Sequence, residues 1–389
     1  MPRLAERFAA FPKYPLADVP EIKRKLKADG VDVIDLGAGD ADLPPPPAAV
    51  AALQASAAVT EMSRYPFQLG LPSFRSAVAS WMQKRFDVQL DPFAEILPLI
   101  GSKEGIAHVP FAFLDAGDVT IVPDPGYQCY VGGTLLAGGE PHLVPLRAVD
   151  DFLVPLQDIP ADVARRARIL YLNYPNNPTT AIAPRLYLQD VVRWCREYDV
   201  LLVYDNAYSE LAFDGYRPPS ILEIEGAREV ALEFHSMSKT YNMTGWRMGW
   251  AAGAAHLVSA LSRVKTFVDT GASLLVQAAA QAALTTYDDW VPENIERFRE
   301  RRDAAAAALR SAGFDVTVPR ATMYLWIPIP GAGPRLTSEV FARRALTETG
   351  VVIMPGSALG AGGEGYFRLA LTQPRQRLVE AARRLSRLL

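Results

Sequence analysis

The sequence predicts an α/β protein with a mostly parallel sheet, followed by a smaller α+β domain. The chain has 389 residues, which is enough for two domains at about 150 residues each. Between residues 95 and 253, short aliphatic or β-branched runs alternate with stretches of helical period, as in βαβ units. After residue 254 the chain changes to Ala- and Arg-rich helical segments, with strand patterns at 324–329 and 367–371 and an amphipathic helix at the end.

The individual elements follow from the apolar pattern. Continuous apolar runs predict strands that are buried on both faces, at residues 96–100, 119–122, 169–172, 200–204 and 230–234 and around Trp250. Between them, Arg185–Tyr198 is a predicted helix, with an apolar face formed by Leu186, Val191, Val192, Cys195 and Tyr198. We therefore expect a large domain at 46–275 and a small α+β domain at 276–389. Residues 1–45 contain no complete βαβ unit, and we expect this segment to pack on the small domain or on a partner.

The composition argues against several classes of function. The chain has 40 Lys and Arg against 43 Asp and Glu, so it has no basic field to attract nucleic acid. The longest uncharged stretch, 270–287, contains Gln, Ser and Thr and is rich in Ala, which predicts a packed helix rather than a membrane span. The first residues mix acidic and basic side chains, unlike a secretory signal, so we expect a cytoplasmic protein. Cys129 and Cys195 have no second Cys or His at metal-ligand spacing, which predicts reduced, buried thiols and no metal site.

Polar residues follow most of the predicted strands, where an open α/β sheet binds its ligands. Each has an ordinary structural explanation when taken alone, such as helix capping by Ser102 or turn formation by Asn-Pro. Their convergence on one sheet edge favours a ligand site, because burying polar groups without a shared task costs free energy. In chain order the groups are Gly101, Ser102 and Lys103; Asp124 and Tyr127; Asn173, Asn176 and Asn177; Asp205 and Tyr208; and Ser236, Ser238 and Lys239.

A phosphate suits part of this set, because Ser102, Ser236, Ser238 and Arg247 offer hydroxyls, backbone N–H groups and a guanidinium. Two phosphate-binding motifs do not fit. The segment SMSKT lacks the glycines of a P-loop, and the G-x-G-x-x-G match at 360–365 precedes a strand instead of opening a helix.

Pyridoxal phosphate (PLP) fits the whole set. This cofactor forms a Schiff base with a lysine amine and needs a carboxylate beside its ring nitrogen to remain an effective electron sink. Lys239 offers the amine and Asp205 the carboxylate. A surface lysine is the ordinary alternative for Lys239, but its position between the serines and Arg247 favours the cofactor.

Five segments, SMSKTYNMTGWRMGW, NYPNNPT, YDNAYSEL, PDPGYQCY and YFRLAL, together resemble the class I/II aminotransferases of PLP fold type I. More narrowly, IDLGAGDADLP, LPLIGSKEGIAH, LAFDGYRPPS and FHSMSKTYNMTGWR look like the LL-diaminopimelate aminotransferases of lysine biosynthesis. The resemblance implies the PLP-dependent transferase fold type I. That fold has a large PLP-binding domain with a mostly parallel seven-stranded sheet and a smaller α+β domain.

The resemblance also implies residue roles. The catalytic residues are Lys239, which is attached to the cofactor, Asp205 at the pyridine nitrogen, and Tyr208, which with Asn177 binds the ring hydroxyl. Tyr127 stacks on the ring. The phosphate is held at Ser102, Lys103, Ser236, Ser238 and Arg247, with Tyr65 from a neighbouring subunit. The substrate is bound by Arg368, which takes the α-carboxylate as a bidentate fork, and by Tyr14, Gly39, Lys103, Tyr127 and Asn177.

The implied reaction is a ping-pong transamination from LL-2,6-diaminopimelate to 2-oxoglutarate, with tetrahydrodipicolinate and glutamate as products. Its implied partners are an amino acid, a 2-oxo acid and a second copy of the chain, because the family builds its active site from two subunits. An aminotransferase for aspartate, alanine or an aromatic amino acid would use the same cofactor residues and Arg368. A PLP-dependent β-lyase is a further alternative. A cofactor-binding sensor is disfavoured, because no helix-turn-helix extension is present.

Overall fold

The computed structural model describes residues 2–11 and 18–389. Tyr14 lies outside these residues. The strands are β1 (Ile34–Asp35), β2 (Ile96–Leu99), β3 (Val119–Asp124), β4 (Glu140–Pro145), β5 (Ala167–Leu172), β6 (Leu201–Asp205), β7 (Ala231–Ser236), β8 (Gly249–Gly253), β9 (Tyr324–Pro328), β10 (Val351–Val352), β11 (Met354–Pro355) and β12 (Tyr366–Ala370). The α-helices are α1 (Val19–Ala28), α2 (Pro47–Ala57), α3 (Pro72–Phe86), α4 (Ser102–Phe113), α5 (Gln128–Leu136), α6 (Ala161–Arg166), α7 (Arg185–Tyr198), α8 (Ala227–Val230), α9 (Met237–Thr240), α10 (Ala255–Thr266), α11 (Leu274–Thr285), α12 (Tyr287–Ser311), α13 (Ser338–Thr349) and α14 (Arg375–Leu385).

The largest sheet has seven strands in the order β2-β8-β7-β6-β5-β3-β4. Strand β8 is antiparallel to both of its neighbours, and the other adjacent pairs are parallel. Side chains of β5 alternate between two cores: Leu170 and Leu172 belong to one cluster, and Ile169 and Tyr171 to the other. The apolar runs are continuous because both faces of the sheet are buried. The predicted mostly parallel, seven-stranded α/β fold is confirmed.

Strand β4 was missed by the sequence prediction. It lies at one edge of the sheet and pairs only with β3 in the described structure. Its six residues include Pro141 and Pro145, and only Val144 is fully buried. Proline is tolerated at an edge, where one side of the strand makes no ladder bonds. A half-exposed, proline-containing strand therefore lacks the apolar run that identified the others.

Helix α7 confirms the predicted helix at Arg185–Tyr198, but its buried face includes Leu188, which was not predicted, while Leu186 is exposed and Tyr198 only half-buried. The buried side chains are Leu188, Val191, Val192 and Cys195, at the i, i+3, i+4, i+7 spacing of one helical face. Leu186 is 74% exposed. The prediction was wrong for Leu186 because a residue two positions before Leu188 points about 200° away from it around the helix.

A second core lies around the antiparallel sheet β11-β12-β9 and helices α12, α13 and α14. Ile34 and Leu36, from the N-terminal segment, belong to this core, and β1 pairs in parallel with β10. Asp32 also forms ion pairs with Arg377 and Arg384. This part of the predicted N-terminal segment therefore packs on the C-terminal core of its own chain.

The predicted boundary at residues 275 and 276 falls inside α11. Buried Ala279, Ala280 and Ala283 of this helix share a core cluster with Phe74 and Met82 of α3. The uncharged stretch at 270–287 is thus a packed helix, as its composition predicts, while the domain boundaries stay a prediction. Among the residues described, no helix is both long and apolar enough to cross a membrane.

Candidate active site

The site lies at the sheet edge where the parallel strands end. Asp205 is the last residue of β6, Ser236 is the last residue of β7, and Ser102 starts α4 after β2. Strand β8 runs in the opposite direction, so its first residue lies at the same edge, and Arg247 precedes it by two positions. Because β8 is antiparallel to β7, Arg247 lies at the same sheet edge as the residues that follow the parallel strands.

Asp205 is a buried carboxylate with one oxygen held by the protein. Tyr130 donates its hydroxyl hydrogen to Asp205 Oδ2 at 2.9 Å. Asp205 Oδ1 is buried and accepts no hydrogen bond from the described chain. Burial raises the pKa of this carboxyl to about 6, although the hydrogen bond from Tyr130, the Ala207 backbone N–H, and the electrostatic effects of His235 and Lys239 act in the opposite direction. A buried acceptor in this state suits a cationic N–H donor from a ligand.

Lys239 lies in the short helix α9, which Ser236 caps by accepting the backbone N–H of Ser238 at 3.2 Å. The Lys239 ammonium donates to the carbonyl oxygen of Gly39. Its positive charge also lowers the pKa values of Asp205 and Tyr324. The lysine therefore faces the Asp205 edge of the sheet and the N-terminal segment at the same time.

Two of the predicted phosphate residues, Ser102 and Arg247, lie close together beside Gly101 and Gly249. The φ of Gly101 is +72°, and a Cβ at this position would lie 2.4 Å from Arg247 Nη2. A Cβ on Gly249 would lie 2.8 Å from the backbone nitrogen of Ser102. Position 101 therefore requires glycine because Arg247 approaches it closely, and position 249 requires glycine because the first turn of α4 does. A guanidinium beside a helix N-terminus is a favourable environment for a phosphate.

Tyr127 precedes α5 and is half-buried. Lys103 Nζ lies 5.7 Å from the centre of its ring, and the Tyr130 ring meets it edge-on at 5.8 Å. Burial raises the pKa of the Tyr127 phenol, which therefore stays neutral. Lys103 and Tyr127 also line a cavity of about 680 Å³ that reaches residues 357–361. The neutral Tyr127 ring and the exposed Lys103 ammonium therefore both form part of the wall of this cavity.

Arg368 is buried in β12. It donates from Nη1 to Asn177 Oδ1 at 2.6 Å and from Nη2 to the carbonyl oxygen of Gly37 at 2.8 Å. Its Nε is buried and has no partner in the described chain. Asn173 supports this arrangement by accepting the Asn177 N–H at 2.7 Å and donating to the Asp205 carbonyl at 2.6 Å. A guanidinium with an unused donor suits a carboxylate ligand.

Tyr208 and Tyr324 form a buried pair, with 3.2 Å between their hydroxyl oxygens. Burial raises the pKa of Tyr208. For Tyr324, burial is outweighed by the positive charges of Arg368 and Lys239, so its pKa is lowered. The Arg368 guanidinium lies over the Tyr324 ring at 4.2 Å. A Cβ on Gly39 would lie 2.0 Å from the Tyr324 hydroxyl oxygen, which explains a glycine at position 39.

Sequence reasoning missed Tyr130 and Tyr324. Tyr130 stands one helical turn beyond Tyr127, and that spacing was the one available signal. Tyr324 starts a strand that was predicted only as part of the second core. No local pattern connects it with Gly39 or Tyr208, because the three lie on different segments.

Two predicted residues are not placed in the site by the described chain. Tyr65 is 72% exposed, and its ring packs against Phe67. Tyr14 falls among the residues that the structure does not describe. Elsewhere, Glu104, His108 and Asp269 lie close enough to share a cation. The ammonium of Lys265 already donates to both carboxylates of that group.

The comparisons with known proteins agree with this geometry. The fold and the site define a PLP-dependent transferase of fold type I. Residues 31–385 match the family "Aminotransferase class I and II", and the chain belongs to this family. It is therefore a PLP-dependent aminotransferase, as the sequence motifs predict.

Relatives and solved structures match over almost the whole chain. The LL-diaminopimelate aminotransferase of Desulforudis audaxviator is 52% identical over 98% of this chain and 96% of its own length. The enzyme of the same name from Moorella thermoacetica is 47% identical over 99% and 98%. Among solved structures, an aspartate aminotransferase single mutant from Thermus thermophilus superposes with a TM-score of 0.92 at 28% identity, with each chain fully covered.

Proposed function

We propose that this aminotransferase moves an amino group from LL-2,6-diaminopimelate to 2-oxoglutarate, forming glutamate and an oxo acid that cyclises to tetrahydrodipicolinate with loss of water. The observation that carries the proposal is the similarity to LL-diaminopimelate aminotransferases, which reaches 52% over nearly the full length. The likeness to an aspartate aminotransferase is weaker in sequence, at 28%. An enzyme for a monoamino acid is therefore the less favoured alternative.

The residues fit the cofactor. Lys239 offers an amine for its attachment, and the unpartnered Asp205 Oδ1 offers an acceptor for a protonated ring nitrogen. Bound PLP supplies the electron sink that accepts the electron pair left at the substrate Cα. The Asp205 carboxylate keeps the ring nitrogen protonated, and Tyr130 holds the carboxylate in place. The free Lys239 amine would then take the proton from the substrate Cα and deliver it to the cofactor.

We assign the remaining cofactor contacts to residues beside Gly101 and Tyr127. We assign the phosphate to Ser102, Lys103, Ser236, Ser238 and Arg247, with the guanidinium and the N-terminus of α4 supplying its charge complement. Tyr127 stacks on the ring. Asn177 and Tyr208 donate to the ring hydroxyl, and Tyr324 orients Tyr208 from behind.

Arg368 binds the substrate α-carboxylate in this proposal. Asn177 and the Gly37 carbonyl fix its guanidinium plane from one side. Gly39, Lys103, Tyr14 and Tyr127 are further substrate contacts in this proposal. Cys129 and Cys195 are free and buried, which fits the reducing cytoplasm in which we place the enzyme.

The proposal includes a homodimer in which Tyr65 reaches the partner's phosphate site. An exposed apolar patch surrounds this residue: Tyr65 is 72% exposed, Phe67 65%, Phe267 90% and Val268 55%. Tyr65 and Phe67 lie on one segment of the chain, and Phe267 and Val268 lie on another. A hydrogen bond of 2.9 Å from the Gln68 N–H to the Thr270 carbonyl joins these two segments. Large exposed apolar patches on a folded chain mark protein interfaces. Light scattering is expected to show a dimer, and Phe267→Glu is expected to give monomers with little activity; an active wild-type monomer would contradict the shared site.

The experiment that tests the proposed reaction is a spectral titration of the purified enzyme. Adding LL-diaminopimelate without an oxo acid is expected to replace the visible band of the lysine-bound cofactor by the near-ultraviolet band of its amine form. Aspartate, alanine and phenylalanine are expected to act far more slowly. A faster response to one of them would overturn the proposed donor, and ammonia release without an acceptor would indicate a β-lyase. Lys239→Ala is the control, because it removes the visible band whatever the donor.

A further inference from the structure

Lys265 is a buried lysine that the proposed reaction does not use. Its side chain has no exposed surface. The ammonium donates to Glu104 Oε2 at 2.8 Å and to both carboxylate oxygens of Asp269, at 3.1 and 2.9 Å. Three carboxylate oxygens from two residues therefore lie within hydrogen-bond distance of the ammonium. Burying a charge pair is expensive and adds little to stability compared with apolar packing, so the arrangement calls for another reason.

On one side, Lys265 holds the start of α4. Glu104 lies two residues after Ser102, in the first turn of the helix that we assign to the phosphate. The same carboxylate accepts the Ile100 N–H at 3.0 Å and contacts His108 Nδ1 at 2.7 Å. The backbone on both sides of Gly101 and Ser102 is thus fixed to one carboxylate that Lys265 neutralises.

On the other side, Lys265 binds Asp269, and the residues that follow Asp269 contact the loop that carries Tyr65. Asp269 accepts the Gly271 N–H at 2.7 Å, and Thr270 accepts the Gln68 N–H at 2.9 Å. Gly271 fits so closely that an added Cβ would lie 3.0 Å from Gln68 N and 3.2 Å from Pro66 Cγ. Pro66 is the neighbour of Tyr65. A continuous chain of contacts therefore runs from α4 through Lys265 to the Tyr65 loop.

We propose that Lys265 is a positioning residue that sets the Tyr65 loop relative to α4, so that one subunit presents Tyr65 to the phosphate site of the other. The inference rests on the homodimer with a shared site proposed above. Lys265 touches neither cofactor nor substrate. It acts by holding Asp269 and Glu104 together across the two segments.

A double-mutant cycle on cofactor binding tests this role. The PLP dissociation constant and the subunit dissociation constant are measured for the wild type, Lys265→Met, Tyr65→Phe and the double variant. Lys265→Met is expected to weaken PLP binding at least about fivefold in the wild type and to have a clearly smaller effect once Tyr65 is replaced, because only its effect on the start of α4 then remains. Lys84→Met is the matched control, since Lys84 is 61% exposed and forms a surface pair with Asp288; it is expected to change neither constant.

The outcomes separate the two proposals. Equal effects of Lys265→Met with and without the Tyr65 hydroxyl would overturn the positioning role and leave the shared site standing. A Tyr65→Phe variant that binds PLP as tightly as the wild type would overturn the shared site and this inference with it.

If Lys265→Met does not fold, Gly271→Ala carries the test, because it displaces the Tyr65 loop while leaving the buried charges intact. It is expected to show the same dependence on Tyr65, and additivity there would overturn the inference.

Discussion

The Tyr130 hydroxyl donates to Asp205 Oδ2 at 2.9 Å, so only Oδ1 of this buried carboxylate remains for a ligand. Tyr130 is itself fully buried and stacks on Tyr171 with 4.8 Å between ring centres. The carboxylate plane is therefore fixed before a cofactor arrives. Such preorganisation lowers the cost of ordering the site on binding.

Tyr130→Phe should weaken cofactor binding and shift its pH dependence. The lost hydrogen bond to a charged group is worth about 1.5–3 kcal/mol. Because Tyr130 lowers the pKa of Asp205 against the effect of burial, its removal lets that pKa rise above about 6. PLP binding by the apoprotein is then lost at a higher pH than in the wild type as the solution is acidified. Titrations of PLP across pH measure both effects. The control is Tyr198→Phe, at the C-terminal end of α7. If the pH profile of Tyr130→Phe were identical to that of the wild type, the role of Tyr130 in holding Asp205 would be contradicted.

Asp205→Asn should stabilise the apoprotein at neutral pH while abolishing transamination. Burial raises the pKa of Asp205 from 3.8 to about 6, which corresponds to up to about 3 kcal/mol against the charged form. The native carboxyl binds its proton more tightly than the unfolded one, so wild-type stability falls as the pH rises between these two values. Urea unfolding at pH ~8 should show the gain of the variant, and near pH ~3 the gain should vanish. If the free energy of unfolding of the variant exceeded that of the wild type by the same amount at both pH values, or by nothing at either, the raised pKa of Asp205 would be contradicted.

Gly39→Ala should impair catalysis by displacing Tyr324. The added Cβ would lie 2.0 Å from the Tyr324 hydroxyl oxygen and 2.8 Å from Cζ, and such overpacking costs about 1–3 kcal/mol. We expect kcat/KM to fall by at least about tenfold, with Tyr208 and the Gly39 carbonyl both disturbed. Steady-state kinetics measure the change. Gly333→Ala is the control because no atom lies within 4 Å of its added Cβ; wild-type kinetics for Gly39→Ala would show that Tyr324 does not matter.

Arg368→Lys should raise KM for the amino donor although the positive charge is kept. A lysine cannot reproduce the planar fork that contacts Asn177 and the Gly37 carbonyl. In the proposed complex the charge pair of interest joins Arg368 to the substrate α-carboxylate; disturbing such a buried, hydrogen-bonded pair costs about 2–5 kcal/mol, so we expect kcat/KM to fall by about 30-fold or more. Half-reaction titrations with the donor measure the loss. The control is Arg383→Lys, because Arg383 forms an exposed pair with Glu380 and its replacement should leave the kinetics unchanged. An unchanged KM for Arg368→Lys would exclude binding of the substrate carboxylate by Arg368.

The residues that we propose for cofactor binding were accessible to sequence reasoning because most of them follow a strand or lie beside a local motif. Asp205 and Ser236 end apolar runs, and Lys239 lies three residues after Ser236. Parallel strands bring their carboxyl ends to one edge whatever their order, so the convergence did not require knowledge of the strand order. Edge strand β4 escaped because its two prolines and exposed side chains remove the apolar signal.

The sequence by itself determined the α/β class, the family and the residues at the strand ends, since these depend on short-range patterns of polarity and motif. Only the tertiary structure decided that Tyr130 holds Asp205, that Tyr324 meets Gly39 and Tyr208, and that Lys265 joins α4 to the Tyr65 loop. Gly39 and Tyr324 stand far apart in the chain, and no local propensity encodes their contact. Such pairs are fixed when the two cores fold against each other, because close packing leaves one arrangement of side chains that satisfies both.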